Sequence, residues 1–273
     1  MSPACPRLAL LRAVLFLAPI VMPASLLRSA EAARIGSMVM NWGARPVKPT
    51  DVGQRRDIAE APTATLERLE SHVSTLDPGK TSHPPHRHPQ EEVIFLREGT
   101  LDVFINGNVH RAGPGSILFF ASNDLHNVTN PGSAPATYVV FQFTTKATAT
   151  APAPDAIRDP HWLKSQVFDW TATAVKPTKT GERRDFFDSP TATFAHLECH
   201  ATTLNPGEIP HPPHRHHDEE IIVMKEGSVL VELGGVPHPA GPQSVALFAS
   251  NDLHGMKNTG SVPATYYVLR VGP

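Results

Sequence analysis

The chain has 273 residues, enough for a sizeable core and for one or two domains. Its 24 Lys and Arg balance 26 Asp and Glu with no clustered basic run, so electrostatics gives no ground for a nucleic-acid partner and a small molecule is expected instead. The 28 Pro and 18 Gly fall in short clusters between β-branched and aromatic runs, with no long helical periodicity, which is the pattern of an all-β protein.

The first segment reads apart from the rest. Arg7 and Arg12 lead into an apolar run from Ala13 to Leu27, and Ala30-Glu31-Ala32 follows as a small-x-small cleavage signal. Residues 1–32 are expected to be a secretory signal peptide cleaved near Ala32, which places the protein in the periplasm or outside the cell with no stable membrane insertion afterwards. Pro19 and Pro23 interrupt a run already short for a bilayer span, although an uncleaved anchor is the alternative. Cleavage removes Cys5 and leaves Cys199, so no intramolecular disulfide is expected and Cys199 reads as a small buried apolar residue.

Beyond the signal the chain repeats itself. Ser37 aligns with Ser165 and Thr145 with Pro273 at a constant offset of 128 residues (165 − 37), without a gap. Trp42 and Trp170, the RRD segments at Arg55 and Arg183, PTAT at Pro62 and Pro190, FASNDLH at Phe120 and Phe248, and PATY at Pro135 and Pro263 coincide. Two domains follow, 37–145 and 165–273, joined by residues 146–164, a Thr/Ala/Pro stretch that reads as an extended linker. Within each unit the apolar period is near two. In the first, TLERLESHV, EEVIFLREG, TLDVFINGN, GSILFFA and TYVVFQF read as strands, with a hairpin signal at Asn106-Gly107, so each unit is expected to be a β-sandwich or small barrel.

The chemistry concentrates in HPPHRHPQEEVIFLREG (83–99) and its copy HPPHRHHDEEIIVMKEG (211–227). On an unbroken strand, residues an even number apart share a face, which groups His86, His88 and Glu92 with Ile94 and Leu96 and leaves Glu91 aside. The copy groups His214, His216 and Glu220 with Ile222 and Met224 and leaves Glu219 aside. A carboxylate among imidazoles at the end of an apolar interior needs a charge partner, and a divalent cation supplies one. His126 and His254, each sharing a face with the Asn four residues on (Asn130, Asn258), are the candidates for a fourth ligand from another strand. Imidazole suits Zn, Cu, Fe, Ni and Mn to differing degrees, and three His with one carboxylate and open positions make a catalytic kind of site.

Blander readings stand beside this one. His83, His110, His161, His196, His211, His217 and His238 read as solvated surface histidines, and the Pro-rich segment could be a His-rich surface loop that picks up metal adventitiously. Repetition of the whole spacing, distal His included, weighs against that. His72 and His200, with Glu70 and Glu198, recur at matching places and read as core or surface before they read as support for the site. Phe119, Phe120 and Phe248 read as core residues that also shape a pocket.

These residues resemble the cupin superfamily. Its first motif (Gly, a spacer, His-x-His, three or four residues, Glu, six residues, Gly) is matched by Gly79, His86, His88, Glu92 and Gly99, and by Gly207, His214, His216, Glu220 and Gly227, with six residues instead of the usual five before the first His. The second motif's ending is matched by His126 with Asn130 and by His254 with Asn258. Where the family has Gly three residues before that His this chain has Asn123 and Asn251, and where it has Pro it has Ala121 and Ala249; the motif's opening Gly is kept at Gly115 and is Gln243 in the copy. Asn tolerates a left-handed backbone best among residues with a side chain, so the turn is expected to survive. The resemblance implies two tandem double-stranded β-helix (jelly-roll) barrels, a bicupin, with up to one divalent transition metal (Fe, Mn, Zn, Ni or Cu) per barrel. Bicupins include oxalate-metabolising enzymes, ring-cleaving and flavonol dioxygenases, an ureidoglycine aminohydrolase, and binding or storage proteins. The leading expectation is thus an exported metalloenzyme, dioxygenase-like or acting on a small carboxylate or enediol. A metal-dependent periplasmic binding or sensing protein without turnover, and a pair of closed structural metal sites, are the alternatives, and homo-oligomerisation is open.

Overall fold

The computed structural model describes residues 1–2 and 33–272. The segment read as an export signal therefore lies, past its first two residues, outside the described residues. Among these, no helix is long and apolar enough to cross a membrane.

The chain builds two all-β barrels, as the apolar alternation demands. The first comprises β2 (Lys48–Thr50), β3 (Gly53–Ala61), β4 (Arg68–Leu76), β5 (Glu91–Glu98), β6 (Leu101–Ile105), β7 (Asn108–Ala112), β8 (Ile117–Phe120), β9 (His126–Thr129) and β10 (Ala136–Thr144). The second repeats it as β12 (Lys176–Thr178), β13 (Gly181–Ser189), β14 (His196–Leu204), β15 (Glu219–Glu226), β16 (Val229–Leu233), β17 (Val236–Ala240), β18 (Ser244–Phe248), β19 (His254–Lys257) and β20 (Ala264–Gly272). Two further strands, β1 (Met38–Asn41) and β11 (Gln166–Phe168), open the two repeats. Each barrel is a large sheet facing a three-stranded one, β7-β6-β9 or β17-β16-β19.

The opening strands are exchanged. β1 pairs antiparallel with β18 of the second barrel, and β11 pairs with β8 of the first, giving seven-stranded sheets in the orders β11-β8-β5-β10-β4-β3-β2 and β1-β18-β15-β20-β14-β13-β12. The connecting segment, read as extended, opens instead on a 3-10 turn over Lys146–Thr150, because the Thr148 hydroxyl turns inward and accepts the Thr145 N–H at 2.9 Å.

Alternation sorts the side chains into three cores. Ile94, Leu96, Leu118, Phe120 and Val140 fill the first barrel, and Ile222, Met224, Ala246, Phe248 and Val268 the second. The opposite faces of the same strands, Val93, Phe95, Phe141 and Phe143 against Leu197, Tyr267, Leu269 and Val271, make a third core between the barrels. Glu91 and Glu219, set aside from the cation face by parity, belong to this third region and are fully buried. The Thr191 and Thr193 hydroxyls donate to Glu91 at 2.5 and 2.7 Å, and the Thr65 amide donates to Glu219 at 3.0 Å, so each PTAT loop seats on the other barrel's carboxylate. Cys199 is buried and unpaired in this third core.

The turns are where the backbone leaves ordinary geometry. Asn106-Gly107 closes the β6–β7 hairpin with both φ positive (46° and 95°), as a type I′ turn requires. Gly99, at φ 81°, carries the chain from one sheet to the other, and a Cβ there would stand 2.6 Å from Ala136 Cα. Gly99→Ala should therefore destabilise the protein by more than about 2 kcal/mol, since the left-handed strain of about 1–2 kcal/mol adds to a backbone clash. Gly107→Ala, with nothing within 4 Å of its Cβ, should cost the strain alone. Equal midpoints in urea denaturation for the two variants would contradict this account.

Candidate metal centres

His86 and His88 do not lie on the strand that carries Glu92. β5 begins at Glu91, and bends at Pro89 and Gln90 separate it from the histidines. Proline lacks the N–H that a continuing ladder needs. The unbroken strand assumed in the parity argument is thus replaced by two anchors. His86 forms an isolated antiparallel bridge with His126, N–H to O at 3.1 and 3.0 Å in the two directions, and the Asn123 amide donates to His88 O at 2.8 Å. His214, His254, Asn251 and His216 repeat the arrangement. Asn123 and Asn251 hold the positive φ (60° and 63°) expected of them in the family's glycine position.

The result is two clusters, His86/His88/His126 and His214/His216/His254, in which one nitrogen from each ring lies within 4.8 Å of the others. Backbone carbonyls decide which nitrogen that is. His88 Nδ1–H donates to Gln90 O at 2.9 Å and His126 Nδ1–H to Asp124 O at 2.8 Å, while His86 Nδ1–H reaches His126 O at 3.2 Å. In the second barrel His216 donates to Asp218 O at 2.8 Å and His254 to Asp252 O at 2.9 Å. A carbonyl only accepts, so these bonds fix the tautomer and leave the Nε2 lone pair for the centre of the cluster. His126 Nε2 and His254 Nε2 are buried with no hydrogen-bond partner, as is His214 Nδ1. Phe120 stacks on His126 (centroids 4.2 Å, planes 14° apart) and Phe248 on His254 (4.3 Å, 15°), holding the rings in place.

The glutamates stand to one side. Glu92 Oε2 lies 3.4 Å from His88 Nε2 and Glu220 Oε2 lies 3.2 Å from His216 Nε2, so each carboxylate touches one imidazole of its cluster. Burial pushes His126 down to about 4 and lowers His86, His214 and His254 as well. Burial acts against Glu92 and Glu220, yet the neighbouring imidazoles hold both below the usual carboxylate range, and Arg270 adds to this at Glu220. At His88 the Glu92 carboxylate outweighs burial, and at His216 the hydrogen bond to Glu220 does the same, so these two rings are raised. Three imidazoles beside an ionised carboxylate are a donor set that fits a first-row divalent cation, which would take the place of the protons on those two rings. Asn130 and Asn258 do not join it. Their amides are buried and brace the next loop, Asn130 donating to Leu76 O and Ala134 O at 3.0 and 2.9 Å.

A cavity of about 440 Å³ opens onto the first cluster, with His86, Glu92, His126, Ile94 and Phe120 on one wall and Arg55, Glu70, His72 and Tyr138 on another. His72 Nδ1–H donates to Glu70 Oε1 at 2.8 Å, Arg55 Nη2 donates to the same oxygen at 2.5 Å, and Arg55 Nε donates to Asp57 at 2.7 Å. His200, Glu198, Arg183 and Asp185 repeat this chain. In the sequence the Arg-Arg-Asp segments read only as landmarks, and His72 and His200 with their glutamates read as core or surface ahead of support for the site. The only available signal was the joint recurrence of Arg-Arg-Asp and Glu-x-His, whose contact depends on β10 lying between β4 and β5. Of the histidines read as solvated, His83 and His211 pack edge-on against His86 and His214 at 4.0 and 4.2 Å, and His196 is half-buried between Asp188 and Asp218, 3.0 Å from each.

His126 sets a pH dependence for the metal-free protein. Between pH 6.5 and about 4 the unfolded chain binds a proton there that the folded chain refuses, so the stability is complete above 6.5 and is lost as pH falls through that window. This group should cost about 2 kcal/mol at pH 5 relative to pH 8. Urea denaturation of chelator-treated protein at both pH values should show that share of the loss vanish in His126→Gln; an unchanged pH dependence in the variant would refute the assignment.

The sequence matches the Cupin domain over residues 72–142 and 201–270. No curated protein sequence matches it. Solved structures share the fold over most of both chains, among them the following three. A putative glyoxylate induced protein from Pseudomonas aeruginosa has a TM-score of 0.68 at 15% identity, covering 89% of this chain and 92% of its own. A point mutant of oxalate decarboxylase from Bacillus subtilis gives 0.66 at 13%, covering 93% and 85%. AerE from Microcystis aeruginosa gives 0.63 at 14%, covering 84% and 98%. At such identities the likeness is one of fold.

Proposed function

This chain belongs to the cupin family as a two-barrel member, and from that premise we propose that it is an exported metal-dependent enzyme acting on a small carboxylate or enediol. The observation that carries the reading is the cluster of three imidazoles formed twice in one chain, each with a buried, unpartnered Nε2 on a carbonyl-fixed ring, His126 or His254. His86, His88, His126 and Glu92 would hold one divalent ion, and His214, His216, His254 and Glu220 another. A bound transition ion supplies a Lewis acid with positions open to a substrate oxygen.

The chain's own residues do the rest. Phe120 and Ile94 line one side of the cavity with apolar surface and limit water there. On the polar side His72 Nδ1–H donates to Glu70, which leaves His72 Nε2 as the nitrogen able to accept a proton from a bound hydroxyl or carboxylic acid. Against burial, His72 and then Arg55 hold Glu70 below the usual carboxylate range, and the ionised Glu70 keeps His72 in that tautomer. A cavity of about 440 Å³ suits a small oxygen-rich molecule more than an extended one. The same fold carries a Bacillus subtilis oxalate decarboxylase, whose named substrate is of this class.

Elemental analysis of untagged protein should find up to two first-row metal ions per chain, with His126→Ala and His254→Ala each removing one. Unaltered metal content in both variants would remove these residues from the ligand sets. Metal-replete protein should turn over a member of a panel of small carboxylates and enediols, with oxygen uptake and carbon dioxide release monitored. Saturable binding without turnover across the panel would replace the enzyme with a binding protein.

A further inference from the structure

We propose that the two centres hold a divalent cation with unequal strength, and that Arg270 makes the second the weaker. This rests on the metal reading above and goes beyond it. The duplication preserves each imidazole, the carbonyls that bond His88 and His126 (His216 and His254 in the copy), the stacked Phe and the Arg–Glu–His chain, and it lacks only the carbonyl bond of His86, since His214 Nδ1 has no partner. The row of side chains that crosses the large sheet beside the ligands is where the two halves part.

In the first barrel that row is Glu70, Gln142, Glu92, on β4, β10 and β5; in the second it is Glu198, Arg270, Glu220, on β14, β20 and β15. Directly opposed residues on antiparallel strands bring their Cβ atoms to roughly 4.5–5.5 Å, so position 142 or 270 is the immediate neighbour of the carboxylate ligand. Gln142 is neutral and turns its Nε2 to within 3.4 Å of His88 Nε2. Arg270 carries a permanent charge and five donors. Its Nη2 donates to Asp218 Oδ2 at 3.2 Å, and its Nε is buried with no partner.

Two effects follow, and both act against a cation. The guanidinium repels a divalent ion at the adjacent cluster. Asp218, whose counterpart in the first barrel is the neutral Gln90, offsets this only in part, because it lies in the segment before β15 and its carboxylate is shared with His196. The unanswered Nε–H also competes for Glu220, the anion set opposite it by the strand register, whereas in the first barrel nothing cationic stands in that position to draw Glu92 from the ion.

The test measures Co²⁺ affinity by calorimetry with one centre disabled at a time. His254→Ala leaves the first centre and His126→Ala the second, with thermal melts confirming that each folds. The expected result is a second centre about tenfold weaker than the first. R270Q in the His126→Ala background should recover most of that difference, and Q142R in the His254→Ala background should weaken the first centre to a similar degree, so the two variants read the same charge in opposite directions should either fail to fold. Equal affinities at the two centres, or affinities unmoved by R270Q and by Q142R, would overturn the proposal. Absence of Co²⁺ uptake in both backgrounds would instead overturn the metal reading itself, and this inference with it.

Discussion

The Nδ1–H bond to a backbone carbonyl, made by five of the six imidazoles, is the interaction on which the candidate centres depend. A histidine ring in a barrel has two nitrogens and, when neutral, one proton. Holding that proton in a bond to a carbonyl on the outer side turns Nε2 inward, and one nitrogen from each of three rings faces the others in each barrel. A buried polar atom without a partner costs on the order of 1–3 kcal/mol, so the arrangement is unfavourable by itself. It persists because the ring positions are set by other forces, namely the His86–His126 bridge, the left-handed Asn123, and the Phe120 ring against His126. The fold thus holds the donors in a geometry that only a cation, or protons at acid pH, would relieve.

How far the sequence carried this reading varies from residue to residue. Glu92 was separable from Glu91 because β5 is continuous through both and alternation is reliable on a continuous strand. His86 and His88 reached the same site through loop anchoring, which alternation does not describe, and the repeat of the motif was better evidence for them than parity was. The Arg55–Glu70–His72 chain was hidden for a topological reason. β4 meets β5 only through β10, the last strand of its repeat, and a linear pattern does not state sheet order. Glu91 and Glu219 were legible as outside the cation face, whereas their burial against the opposite PTAT loop needs two barrels in contact.

Strand exchange was invisible for a related reason. Aligning the chain with itself shows that two segments are equivalent; it does not say which partner each one joins. β1 and β11 fit either barrel equally well by sequence, since each would pair with β8 or β18, and these two strands are themselves copies.

The exchange reaches the centres. Ser165, just before β11, donates to Asp124 Oδ2 at 2.5 Å and accepts the Ala121 amide at 2.8 Å. Ser37, just before β1, does the same for Asp252 and Ala249, at 2.7 and 2.9 Å. Asp124 and Asp252 are the residues whose carbonyls accept the Nδ1–H hydrogen bonds of His126 and His254. Each repeat therefore secures the distal imidazole of the other. The duplication is best understood as a mutual arrangement of two halves, each completing its neighbour's cluster, and this leaves the sheet row at positions 142 and 270 free to differ without disturbing how the imidazoles are held.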